Sequence, residues 1–130
     1  MLDGFKTISL TVGLPYISIT ENGVTFNKTS IVKLGRPSHV LLMINEDKKQ
    51  IAVQPCDAEN EDATPFLRSE GKSVLSVRWN NKDLLNTLSK LMGWDLKECG
   101  YRVDGDYLNN ENAMVFDLNT ATRIGEKDQT

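Results

Sequence analysis

The sequence predicts an α+β fold: two strand–helix–strand–strand repeats sharing a small barrel-like or strongly bent, mainly antiparallel sheet, with two short helices. Three observations lead there. Short runs rich in β-branched and aromatic residues recur along the chain, bounded by Gly, Pro and Asn. Two stretches carry an asparagine cap at one end and a closing glycine at the other. The order of elements in the first half returns in the second. With 130 residues, 39% of them hydrophobic and 25% charged, the chain is expected to form one ordered domain over residues 1–125. Its pseudo-repeats span about 16–56 and 73–118, joined by an acidic loop over 57–72, and 119–130 read as a flexible polar tail.

Lys6 to Leu14 alternates loosely through Ile8, Leu10 and Val12 and reads as a first strand. Tyr16-Ile17-Ser18-Ile19-Thr20 is a clearer one. Asn22-Gly23 follows, a pair suited to the two central positions of a type I′ turn, so Tyr16 to Phe26 is expected to be a hairpin. Asn27 reads as a helix N-cap, Lys28 to Leu34 as a short helix, and Gly35 as its left-handed stop, with Pro37 barring continuation. Val40 to Ile44 is apolar throughout and predicts a strand buried on both faces. Its partner is Gln50 to Gln54, across the polar turn 45–49.

Asp57 to Pro65 is acidic, poor in apolar residues, and reads as a solvated loop. Val74 to Trp79 is the next strand, with Val74, Ser76 and Arg78 on one face and Leu75, Val77 and Trp79 on the other. Asn80 or Asn81 caps a helix in which Leu84, Leu85, Leu88, Leu91 and Met92 form one apolar stripe, closed by Gly93. Tyr101-Arg102-Val103 opens a strand, Asp104 to Asn112 reads as a long polar turn, and Ala113 to Leu118 is the last strand.

Laid side by side, Val24-Thr25-Phe26-Asn27 matches Val77-Arg78-Trp79-Asn80, and Leu34-Gly35 matches Met92-Gly93. Val40–Ile44 matches the strand around Tyr101–Val103, and Ile51–Gln54 matches Met114–Asp117. One such unit is too small to bury its own apolar face; two can bury it against each other.

Several function classes find no support. The longest strongly apolar run, Val40 to Ile44, is far short of a membrane span, and the N-terminus lacks the basic start and apolar stretch of a secretory signal. The expected setting is therefore soluble and cytoplasmic, with Cys56 and Cys99 reduced. Those two thiols and His39 fall short of the four ligands of a structural zinc site. No phosphate-cradling glycine loop is present, Ser38-His39 lacks an orienting acid, and the spacing in Asp104-Gly105-Asp106 is not that of a calcium loop. No catalytic constellation, metal site or cofactor is expected. Trp79 and Trp94 read as core anchors in preference to a stacking platform for bases.

The net charge of −3 argues against a generic polyanion binder, but it is uneven: residues 1–55 carry +2 and residues 56–130 carry −5. Lys28, Lys33, Arg36, His39 and the turn Lys48-Lys49 form the candidate basic surface in the first half.

The stretch Gly23-Val24-Thr25-Phe26-Asn27-Lys28-Thr29-Ser30-Ile31-Val32-Lys33-Leu34-Gly35, followed by Val40–Ile44 and Ile51–Pro55, resembles the DNA-binding half of the AbrB and MazE families of bacterial regulators and antitoxins. Those families form intertwined dimers, and the MraZ family carries two such units in one chain. The resemblance implies a fused pseudo-dimer whose partner is duplex DNA. Lys28, Lys33 and Arg36 would contact the backbone from the first unit, and Arg78 and Lys82 from the second. The rival expectation is a non-enzymatic protein-interaction or scaffold domain, of mobile-element origin, using the acidic loop or an exposed strand edge.

Overall fold

In the computed structural model, which describes residues 3–4, 14–67 and 76–124, Asn22-Gly23 does mark a hairpin, but the turn lies one residue earlier than expected. Strand β1 (Tyr16–Thr20) pairs antiparallel with β2 (Gly23–Phe26), with Thr20 opposite Gly23, so Glu21 and Asn22 form the loop. Asn22 is not among the residues with positive φ, which excludes the type I′ geometry. Gly23 instead begins β2 at φ 142°, where an added Cβ would stand 2.5 Å from the carbonyl oxygen of Trp79. Close approach of the neighbouring strand, and not the turn, calls for glycine there. The strand expected over residues 6–14 lies outside the described residues apart from Leu14, which is exposed.

Helix α1 (Lys28–Lys33) is capped by Asn27 as expected, whose Oδ1 accepts from Ser30 N at 3.0 Å. Gly35 ends it at φ 87°. Strands β3 (His39–Asn45) and β4 (Gln50–Pro55) then pair in a second hairpin across residues 46–49, with Lys49 at φ 57°. The expectation that Val40 to Ile44 is buried throughout is wrong at its far end. Val40 is buried, Leu41 and Leu42 are half-buried, and Met43 and Ile44 are each 41% exposed, because β3 pairs with β5 only at His39 and Val40 and is an open sheet edge beyond them; Ile51, opposite Ile44 on β4, is still buried.

The acidic segment is also less loop-like than its composition suggests. Residues 57–63 close on themselves through Asn60 N to Asp57 O and Ala63 N to Asn60 O. The chain then forms a two-residue strand, β5 (Thr64–Pro65), on β3, and buries Phe66 against Phe26. Residues 68–75 lie outside the described residues. Strand β6 (Val77–Trp79) buries Val77 and exposes Arg78, keeping the expected alternation. Asn81, one residue past Asn80, caps α2 (Lys82–Met92), accepting from Leu84 N at 2.9 Å. The helix buries Leu85 and Leu88 and rests Leu84, Leu91 and Met92 against the same core, and Gly93 closes it at φ 70°.

The long polar turn expected at Asp104–Asn112 is mostly strand. Strand β7 runs Gly100–Leu108, and only residues 109–112 turn back into β8 (Ala113–Asp117). Asp104 and Asp106 are the solvent face of a strand whose other face carries buried Val103 and half-buried Tyr107, so composition alone suggests a loop. The tail is also more ordered than expected up to Ile124. A 3₁₀ turn (Leu118–Thr120) leads into β9 (Thr122–Ile124), which pairs with the start of β7. Residues 125–130 lie outside the described residues.

The fold is α+β. Nine antiparallel strands among the described residues form one strongly curled half-barrel sheet in the order β5-β3-β4-β8-β7-β1-β2-β6, with β9 beside β7. The two ends of this order meet where Trp79 Nε1 donates to Pro65 O at 3.1 Å. The core fills the inside of the curl. Phe26 sits within it, its ring edge-to-face with Phe66, Trp79 and Phe116 at 5.0, 5.0 and 6.0 Å. Trp79 is thus a core anchor, and Trp94 stacks on Tyr101 at 4.1 Å. Cys56 and Cys99 are free thiols. No helix among the described residues is long and apolar enough to cross a membrane.

Candidate nucleic-acid interface

Residues of a strand alternate between faces, so the burial of Ile17, Ile19, Val24, Phe26, Val77 and Val103 inside the curl sends their neighbours outward. The register then aligns four of those neighbours across four strands. Arg102 of β7 is opposite Ser18 of β1, Ser18 is opposite Thr25 of β2, and Thr25 is opposite Arg78 of β6. This polar row has an arginine at each end and two hydroxyls between them.

The two arginines differ. Arg102 lies over the Tyr16 ring, 3.8 Å from its centroid, and its Nε is 3.4 Å from Asp104 Oδ1. That ion pair is well exposed, so water screens much of the attraction. Arg78 is exposed and makes no ion pair with any described residue.

Lys28 and Lys82 are the first residues of α1 and α2. They follow β2 and β6, which run antiparallel, so they flank Arg78 from opposite ends of that strand pair. A cation at a helix N-terminus opposes the macrodipole, typically by about 0.3–1 kcal/mol. Asp83 offsets this in α2, whereas α1 has no acid in its first turn. Lys33 and Arg36 lie at the other end of α1, about 9 Å along its axis at 1.5 Å per residue. Of the five basic residues singled out from the sequence, Lys28, Arg78 and Lys82 therefore gather around the β2–β6 pair. Lys33 and Arg36 stand apart with the first unit.

A cleft of about 350 Å³ opens beside Arg78, where the two ends of the sheet meet; Leu42, Thr64, Trp79, Asn80, Asn81 and Leu84 complete its lining. Elsewhere, the Tyr101 phenol is held above its ordinary value, first by a hydrogen bond with Cys99 and then by burial, with Arg123 opposing. No cluster of three or more metal-ligating side chains occurs among the described residues. Comparison with protein-family models, with curated proteins and with solved structures gives no match.

Arg102 and Tyr16 escaped the sequence reading. Strand alternation from buried Val103 would have sent Arg102 outward, but its alignment with Ser18 and Thr25 depends on a long-range pairing between β1 and β7 that no local pattern encodes. The cleft likewise joins residues from β3, β5, β6 and α2.

Proposed function

We propose that this chain is a fused pseudo-dimer of the AbrB/MazE/MraZ type that binds duplex DNA through the outer face of β7–β1–β2–β6, as a small transcriptional regulator or antitoxin-like module. Two readings are joined here, and each has its own support.

The register supports the duplication. Equating Val24–Phe26 with Val77–Trp79 makes the β2–β6 pairing self-complementary: Val24 meets Trp79, Phe26 meets Val77, and Thr25 meets its own counterpart, Arg78. Equating Ile51–Val53 with Met114–Phe116 does the same for β4–β8: Ile51 meets Phe116, Val53 meets Met114, and Ala52 meets Val115. The same equivalence superposes Lys49 on Asn112, and both have positive φ, 57° and 49°, at the last position of a four-residue turn. Self-pairing at two separate strand junctions is what an approximate twofold axis requires.

The observation that carries the DNA reading is the cross-strand row with Arg78, bracketed by Lys28 and Lys82 at equivalent helix starts. Cations arranged this way suit phosphates on either side of a dyad. The test is fluorescence anisotropy of the full chain with a labelled duplex. Binding in the micromolar range or tighter is expected near 50 mM salt, with log K falling against log salt with a slope of about −3 for three neutralised phosphates. Absence of binding at about 10 μM protein under those conditions refutes it.

A protein-interaction module is the second reading. The exposed Met43 and Ile44 on the outer part of β3, beyond its short pairing with β5, favour it.

A further inference from the structure

The equivalence of the two units, on which this inference rests, exposes a difference between them. In the first unit Asn27 does two jobs. Its Oδ1 caps α1, and it also accepts from Tyr16 N at 3.0 Å, while Nδ2 donates to Leu14 O at 2.9 Å. Its backbone N–H donates to Tyr16 O at 3.2 Å, and from the neighbouring strand Gly105 N donates to Pro15 O at 2.9 Å. Residues 14–16 are thus held as an extended segment between Asn27 and Gly105.

In the second unit those jobs are divided. Asn81 caps α2. Asn80, which follows Trp79 as Asn27 follows Phe26, has no hydrogen-bond partner for its side chain or its N–H among the described residues. Leu42 holds the place of Gly105: each lies two residues beyond a fully buried valine, Val40 or Val103, paired with the strand that leads into the other unit, β5 or β1.

Antiparallel strands alternate the edge to which successive residues turn their polar groups. His39 O accepts from Cys56 N on the β4 side, and Ser38 O accepts from Phe66 N on the β5 side, so Leu42 turns its N–H and C=O to the β5 side as well. There β5 has not yet begun, because residues 57–63 close on themselves before Thr64. The place that Leu14–Tyr16 fill in the first unit corresponds in the second to the 350 Å³ cleft.

We infer that this cleft receives an extended peptide segment of a partner protein, which lays its main chain between Leu42 and Asn80 as Leu14–Tyr16 lies between Gly105 and Asn27. Main-chain hydrogen bonds supply the attachment, as in other strand-addition sites. The side-chain chemistry follows from the lining. Pro15 is buried in the template, and Leu42, Leu84 and the Trp79 ring offer an apolar wall, so the central residue is apolar, with proline favoured. Arg78 in the same cleft has no ion pair with a described residue, so the segment carries a carboxylate beside it.

The probe is the blocked peptide Asp-Leu-Pro-Tyr-Ile, which copies Leu14–Ile17 behind an aspartate, titrated into the ¹⁵N-labelled full chain. Shift changes are expected at Leu42 N–H, the Trp79 indole and the Asn80 side-chain amide. Asn80→Ala and Arg78→Ala should each weaken binding at least about fivefold. Asn80→Ala should melt as the parent does, since the Asn80 side chain has no hydrogen-bond partner among the described residues, whereas Asn27→Ala should melt lower. No site-confined shifts at millimolar peptide, or unchanged binding by Asn80→Ala, overturns the docking site. An Asn27→Ala variant that melts as the parent overturns the template. Failure to bind duplex DNA would leave each of these outcomes as stated.

Discussion

Replacing Gly23 by alanine tests how β6 is held in place. Three glycines, Gly23, Gly35 and Gly93, have positive φ within or beside a paired element, but only at Gly23 does a neighbouring backbone atom stand in the way. A Cβ at Gly93 meets nothing within 4 Å, so Gly93→Ala bears only the left-handed penalty, about 1–2 kcal/mol. At Gly23 the φ of 142° is costly for an L-residue, about 1–3 kcal/mol, and comes on top of the contact 2.5 Å from Trp79 O. That oxygen belongs to the ladder, so relief requires parting β2 from β6, which are joined through only three residue pairs. Losing one buried backbone hydrogen bond adds about 1 kcal/mol. The expected cost of Gly23→Ala is therefore about 2–4 kcal/mol, a large part of the ~5–15 kcal/mol typical of a domain. Urea denaturation followed by tryptophan fluorescence measures it; with m near 1.5 kcal/mol/M, the midpoint should fall by about 2 M, against about 1 M for Gly93→Ala. Equal midpoints for the two variants would refute the steric argument.

Other expectations follow from the same geometry. Arg78→Glu should weaken duplex binding about tenfold and make its salt slope shallower by about 1, read by anisotropy at several salt concentrations, with the melting temperature little changed. Leu88→Ala removes a fully buried side chain from the α2 stripe and should cost about 2–5 kcal/mol by chemical denaturation. The raised Tyr101 pKa means that folding favours the neutral phenol, so its contribution is complete below the unfolded value near 10 and is lost as pH climbs through the higher folded value. Melting temperatures between pH 9 and 11.5 should show this loss, and Tyr101→Phe should make the fall shallower.

Local chemistry made the helices and their ends legible. An asparagine cap, an apolar stripe and a closing glycine act within one or two turns, and α2 follows all three signals. The misreadings arose where distant pairing decides. Asp104–Leu108 looks like a turn until β8 lies beside it, and Thr122–Ile124 looks like a tail until it meets the start of β7. Val40–Ile44 looks core-bound because composition does not tell where the core ends. For the candidate interface, the sequence supplied Lys28, Arg78 and Lys82 but not Arg102, whose place depends on the β1–β7 register. Asn80 and Asn81 are interchangeable as caps in sequence; in the fold Asn81 caps α2, and Asn80 has no hydrogen-bond partner among the described residues.

The presence of an arginine at only one of two facing positions in β2–β6 also takes on a physical reason under the proposed equivalence. A residue on a twofold axis faces its own counterpart, and in β2–β6 that position is Thr25 opposite Arg78. Directly opposed residues in an antiparallel pair have Cβ atoms about 4.5–5.5 Å apart, close enough for like charges to destabilise the pair. A true homodimer with arginine at this position would place two guanidinium groups in that gap. A fused chain is free to keep one and set a small hydroxyl against it. Arg78 can then stand beside the axis, at the β6 end of the outer face, without a repelling twin, while Lys28 and Lys82, off the axis, remain paired in kind. Thr25→Arg should restore the repulsion. It is expected to lower the stability of β6 at low ionic strength, and to recover part of the loss in salt, where the opposed charges are screened.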